Sequence, residues 1–213
     1  MIPSGGLPDD VLLAIFEFCV DENQSTKIEI EAWHSLTHVC QQWRSVVFGS
    51  PHRLNLRLAC TTGTPARDTL DVWPALPLFI QCYDYHQTES IDNIIAALER
   101  SDRVCQIDFS RKVPSSLLET VFGSMQKPFP ELTHLQFTSV DEMVPVLSDS
   151  FLGGSALRLQ FLWLYGIPFP GLRKFLLSAT HLTELHLFKI RNSTFRVPFA
   201  SCTAHYPLRV DRP

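Results

Sequence analysis

The chain has 213 residues, of which 45% are hydrophobic and 19% charged, a composition that excludes a disordered tract. Eighteen Lys and Arg against 22 Asp and Glu give a net charge of −4, and without a basic stripe nucleic-acid binding is not expected. The start lacks a signal-peptide pattern, no run approaches the ~18 apolar residues of a membrane span, and the six cysteines are scattered through apolar segments. Together these point to an intracellular chain, cytoplasmic or nuclear, with reduced thiols and no membrane partner.

The first predicted element is a helix. Pro8 suits its first turn, where the missing N–H would be unpaired anyway, and Asp9 and Asp10 complement the helix dipole. From Val11 to Val20 two apolar flanks run side by side, Val11, Ile15 and Phe18 on one and Leu12, Phe16 and Cys19 on the next. A helix so short and so apolar must be covered on two sides, one by its own domain and the other by a candidate partner. Asp21 to Glu31 reads as a polar loop. Trp33 to Phe48 reads as a second, longer helix with Leu36, Val39, Cys40, Trp43, Val46 and Val47 on one stripe, stopped by Gly49, Ser50 and Pro51.

The order of these residues resembles an F-box. Leu7-Pro8 is followed by an acid at Asp10, then by the aliphatic pairs Val11-Leu12 and Ile15-Phe16, and the stretch closes on Val39-Cys40-x-x-Trp43-Arg44. The resemblance covers roughly a quarter of the chain and extends to fungal F-box-domain-containing proteins. It implies a three-helix unit docking on a Skp-type adaptor and, through it, on a cullin-RING ubiquitin ligase. The residues it implies as adaptor-binding or supporting are Leu7, Pro8, Val11, Leu12, Ile15, Phe16, Val39, Cys40 and Trp43. Two departures stand out: the insert Asp21–Glu31 is long, and Leu54-Asn55 replaces a Leu-Trp pair. The competing reading is a helical hairpin buried in its own domain.

Residues 59–77 read as a Pro-rich linker after an F-box-like module over 1–58. Leu54 to Leu58 alternates like a strand, and Leu78 to Tyr83 reads as the first buried strand of the second part. An L-x-x-L-x-L pattern then recurs from Val104, Leu132, Leu159 and Leu182, in steps of 28, 27 and 23 residues. Apolar helical pieces fill the gaps at Ile91–Leu98, Leu117–Phe122, Met143–Leu147 and Leu172–Leu176. These periods predict a short, irregular leucine-rich-repeat solenoid over 78–192, followed by an irregular tail over 193–213. The expected fold is thus an α+β or α/β repeat, a three-helix F-box followed by the solenoid. An ordinary α/β domain with Leu-rich strands is the alternative.

Period-two alternation puts Gln106, Asp108, His134, Gln136, Trp163, Glu184 and His186 on a concave substrate-binding surface, with Trp163 as a natural anchor. The Asn or Cys that usually ladders along such repeats is replaced by Lys112, Val140, Ile167 and Ile190.

Little in the sequence carries chemistry. His34 and His38 have metal-ligand spacing on a helix, but Ser35 stands where a zincin has its Glu and no third ligand follows. Cys82 and His86 have no orienting acid, and Gly153-Gly154-Ser155 is a turn without a phosphate-binding Lys. No catalytic residue, metal or cofactor is expected. The expectation is a non-catalytic substrate receptor of a ubiquitin ligase; the alternative is a leucine-rich interaction scaffold without that coupling.

Overall fold

Pro8 starts the first helix from just outside it: its carbonyl accepts from the N–H groups of Val11 and Leu12, both at 3.0 Å. Helix α1 spans Asp9–Cys19, with both acids in its first turn. The computed structural model describes residues 7–19, 32–51, 53–82, 91–110, 113–139, 141 and 144–190. The insert 21–31, His86, Lys112, Val140, Met143 and the tail 193–213 lie outside the described residues.

The single helix expected over Trp33–Phe48 is two helices, α2 (Ala32–Thr37) and α3 (Gln41–Gly49). The break has a local cause. Thr37 Oγ1 donates to the His34 carbonyl at 2.7 Å, Arg44 Nε donates to the Thr37 carbonyl at 3.0 Å, and Cys40 takes an extended conformation (φ −159, ψ 172) ahead of α3. A helical stripe cannot continue through an extended residue, so Val39 and Cys40 turn outward while Val46 and Val47 stay buried.

Six strands follow, β1 (Leu58–Thr61), β2 (Leu78–Gln81), β3 (Val104–Phe109), β4 (His134–Thr138), β5 (Phe161–Tyr165) and β6 (Glu184–Phe188). Between them run α4 (Ala66–Val72), α5 (Ile91–Glu99), α6 (Ser115–Ser124), a 3₁₀ turn (Phe151–Gly154) and α7 (Leu172–Ser178). All pairings are parallel, and the sheet order β1-β2-β3-β4-β5-β6 is the chain order. Parallel neighbours need a crossover, which explains the alternation of strand and helical segment.

The expected architecture is corrected by these findings. The described residues form an α/β arrangement of a six-stranded all-parallel sheet with seven helices, and not a three-helix F-box followed by a leucine-rich-repeat solenoid. Residues 59–77, read as a linker, hold most of β1 and all of α4. Nor are the first helices set apart: Leu12, Phe16, Trp33 and Val47 belong to the same buried core as Leu58, Ile107, Phe137, Leu164 and Phe175. The periodicity located β3 to β6 and three of the four expected helical pieces; Val144 to Leu147 form no helix, and the 3₁₀ turn at Phe151–Gly154 stands between β4 and β5. A parallel α/β sheet needs such alternation as much as a stack of repeats does.

The core is sealed on one side of the sheet. Ile107, Phe109, Leu135, Phe137, Leu162 and Leu164 point to that side and are essentially solvent-free. Phe137 is its hub, with ring centroids 5.3 Å from Phe109, 5.1 Å from Phe122 of α6 and 6.5 Å from Phe151. Near the other end Trp33 Nε1 donates to the Arg57 carbonyl at 3.0 Å, which ties α2 to the entry of β1. Gly166 ends β5 at φ +72, and an added Cβ would stand 2.3 Å from the Ser139 carbonyl oxygen.

Two substitutions separate these features. Phe137→Ala is expected to lower unfolding free energy by about 3–5 kcal/mol in urea denaturation. Gly166→Ala adds only a methyl but meets backbone at a left-handed position, so it is expected to cost at least ~1 kcal/mol, whereas Gly63→Ala, whose methyl meets only Thr61 Oγ1 at 4.0 Å, stays within about 0.5 kcal/mol of the parent.

Candidate functional site

The strands that bury one face leave the other partly exposed, and parallel register lines its side chains up in rows. One row runs Ala59, Phe79, Gln106, His134, Phe161, Glu184; the next runs Thr61, Gln81, Asp108, Gln136, Trp163, His186. A third, shorter row holds Thr138, Tyr165 and Phe188. Ala59 and Phe79 are buried and close the face at the β1–β2 end. From Gln106 onward it stays half-buried, and it becomes exposed at β6. No reversal of strand order occurs, so the sheet lacks the switch-point crevice where α/β sheets usually hold ligands.

All seven residues expected on a binding surface fall on this face and in these two rows. It is one face of an α/β sheet and not the concave side of a solenoid. Phe161, Tyr165 and Phe188 share this face by the same period as Trp163 and were not among the residues expected there. Also missed were Gln81 and Arg57, which border the strip from the segment taken as linker and its neighbours.

The aromatic half is continuous. Trp163 lies 4.7 Å from His186 and 5.1 Å from Phe188 between ring centroids, His134 stacks on Phe161 at 5.9 Å, and Phe161 reaches His186 at 5.6 Å. Lys189 Nζ sits 5.1 Å over the Tyr165 ring, a cation–π contact at the edge.

The polar half is short of donors. Arg57 Nη1 donates to Gln106 Oε1 at 3.0 Å, and its remaining contacts go to Asn55 Oδ1 at 3.4 Å. Gln81 Nε2 donates to Asp108 Oδ2 at 3.2 Å, while Gln81 Oε1 is buried with no partner. Leaving such an acceptor unpaired costs about 1–3 kcal/mol. Glu184 is largely exposed, with His186 Nε2 3.7 Å from its carboxylate. A shallow cleft of about 170 Å³ opens between Gln106, Asp108, His134, Gln136 and Phe161.

His134 is the titratable group at the centre. Burial first, then the Arg57 guanidinium, holds its imidazole below the ordinary 6.5, against a smaller opposing pull from Glu184. The Thr133 hydroxyl donates to the Cys105 carbonyl at 3.0 Å, so His134 Nδ1, 2.9 Å from that oxygen, supplies the proton between them. Nε2 of the neutral ring is then one more acceptor on the strip.

The first helices carry a second surface. Leu7, Val11, Ile15 and Phe18 are 49, 43, 40 and 87% exposed, whereas Leu12 and Phe16 on the neighbouring flank are 1 and 0%. Of the nine residues implied as adaptor-binding or supporting, Leu12 and Phe16 are therefore core and cannot touch a partner; Phe16 lies 4.8 Å from Trp43, which is half-buried. Leu7, Pro8, Val11, Ile15, Val39 and Cys40 remain accessible, and Phe18 joins them. Gln42 Nε2 pins the start of α1 by donating to the Leu7 carbonyl and Asp9 Oδ1, each at 3.1 Å.

Other candidates place differently. His34 stacks on Trp73 at 4.9 Å, inside an aromatic group that includes Trp33 and Phe48, and among the described residues no three His, Cys, Asp or Glu converge to hold a metal. Burial pushes the Cys60 thiol up to about 11 and raises that of Cys105, so neither supplies a thiolate at neutral pH. No helix among the described residues is long and apolar enough to cross a membrane.

The depressed imidazole gives a signed pH effect. A histidine whose folded value lies below its unfolded 6.5 leaves the unfolded state binding more protons, so stability declines as pH falls through 6.5. An NMR titration should place the His134 midpoint below that of an unfolded histidine, and His134→Gln should flatten the stability profile between pH 5 and 7; a midpoint at or above 6.5 would contradict the account of its surroundings.

No family model matches the chain, and neither does any curated protein or solved structure.

Proposed function

We propose that the chain is a non-catalytic receptor, in which the exposed flank of α1 docks on a Skp-type adaptor and the open face of the sheet holds a protein substrate for ubiquitination. One observation carries the first half: Leu7, Val11, Ile15 and Phe18 form an apolar flank beside one already used for the core. Soluble chains seldom leave a cluster of large apolar side chains, three on one helix and one just before it, uncovered without a partner. The order of residues from Leu7 to Arg44 that resembles an F-box supports the choice of partner.

The magnitudes are compatible with a reversible complex. Sealing a fully exposed side chain of this size is worth about 1.5–3 kcal/mol. Half-exposed positions return about half of that, and the matching area on the adaptor adds a similar amount. The total is of the order a micromolar association requires after ordering costs. The second half of the reading rests on the aromatic strip around Trp163 and the polar side chains beside it, which together have the mixed apolar and polar makeup of an interface core. A receptor of this kind acts through effective concentration, and the bond-forming chemistry belongs to its partners. The role would place the protein in the cytoplasm or nucleus. A scaffold uncoupled from ubiquitin transfer would use the same strip and differ in having no adaptor.

The experiment is capture of a purified Skp-type adaptor by the full chain. Ile15→Asp is expected to weaken capture at least tenfold, about 1.4 kcal/mol or more, while circular dichroism and melting stay at the parent values. Leu12→Asp should unfold the chain instead, because that position is core. Absence of adaptor binding by the folded parent at micromolar concentration would defeat the reading.

A further inference from the structure

The cleft on the open face of the sheet is bordered by residues that carry acceptors, Asp108 foremost. Gln81 Oε1 is buried without a partner on a side chain 7% exposed. Beside it Asp108 carries a charge answered only by neutral donors, Gln81 Nε2 and the Ser110 N–H at 2.8 Å. Neutral His134 presents Nε2, and Glu184 stands largely in solvent at the far end of the row. Two cations stand at its borders: Arg57, which donates to Gln106 and Asn55, and Lys189, which lies over the Tyr165 ring. Asp108 puts a carboxylate at the cleft that Phe161 also lines, with Glu184 and the Trp163 ring farther along the strip. Such a surface calls for a flat cation that brings several donors and no acceptor. Among side chains the guanidinium alone has that form; an ammonium is compact and strongly hydrated and stacks less well on rings.

Resting on the reading of this face as the substrate surface, we infer that the substrate is recognised through an arginine side chain of a basic segment, its guanidinium entering the cleft between Asp108, Gln136 and Phe161. Asp108 is the counter-charge. The ring face of Phe161 gives the guanidinium a stacking surface, and Trp163 one register position away on the same strip extends it for neighbouring parts of the segment. Glu184 steers positive segments toward the strip from its exposed end.

The test uses the full chain and three short Gly/Ser peptides carrying one central arginine, lysine or citrulline. Citrulline keeps the shape of arginine and loses the charge. Binding is followed by calorimetry and by the indole resonance of Trp163 in NMR. The arginine peptide is expected to bind at least tenfold more tightly than the citrulline peptide and more tightly than the lysine peptide, and to shift the Trp163 indole. Glu184→Gln, an exposed change that leaves the core untouched, should weaken arginine-peptide binding a few-fold and reduce its salt dependence. Asp108→Asn should weaken it tenfold or more, at a melting temperature close to the parent's.

Equal affinity for arginine and citrulline peptides overturns the inference. So does a silent indole at millimolar peptide, or preference for an acidic peptide or an oligosaccharide. Adaptor capture measured on the same preparations keeps the two readings apart: loss of arginine selectivity with intact adaptor binding defeats only this inference, and the converse defeats only the receptor reading.

Discussion

The centre of this fold hangs on the period-two alternation of β4 and β5, five residues each, locked in parallel register. In β4 and β5 the second and fourth positions, Leu135 and Phe137, then Leu162 and Leu164, go to a dry interior, so the first, third and fifth must go the other way. A one-residue slip would exchange the two sets and put His134, Gln136 and Trp163 into the core. The cost of burying those polar groups without partners protects the register. The composition of the outer face is therefore not a by-product of folding. It is held in place by the same constraint that builds the core.

That constraint gives the receptor reading its mechanical basis. The strip spans strands β3 to β6, and the exposed flank of α1 belongs to a helix whose other flank is continuous with the core beneath those strands. The tie from Trp33 to Arg57 matters here, because Arg57 also holds Gln106 at the edge of the strip. Two surfaces carried by one packed body keep a fixed separation without a linker. For a bridge between an adaptor and a substrate, a fixed separation raises the effective concentration of one partner near the other.

Much of this was legible in the residues and some was not. The split of α1 into a buried and an exposed flank follows from spacing, Val11, Ile15 and Phe18 against Leu12 and Phe16, although Cys19, grouped with the second flank, is exposed. The resemblance to an F-box then blurred it by grouping both flanks as contact residues. The seven strip residues were found from alternation beside leucines, which is robust because parallel strands buried on one face must alternate. The architecture was not found. Pro65, Pro74 and Pro77 made 59–77 look like a linker, whereas Pro65 stands at the start of α4 and Pro77 accepts from the Leu58 N–H at 2.9 Å at the foot of the sheet. The helix break at residues 38–40 was invisible because the apolar spacing runs straight through it. Only the Thr37 and Arg44 hydrogen bonds reveal it.

The most direct measurement is side-chain NMR of the full chain titrated with a Skp-type adaptor. The account predicts that the methyl resonances of Leu7, Val11, Ile15 and Val39 shift together while Leu12, Trp163 and His134 stay silent, since adaptor and substrate surfaces are separate. Shifts centred on Trp163, or an unmoved Ile15 at saturating adaptor, would contradict it.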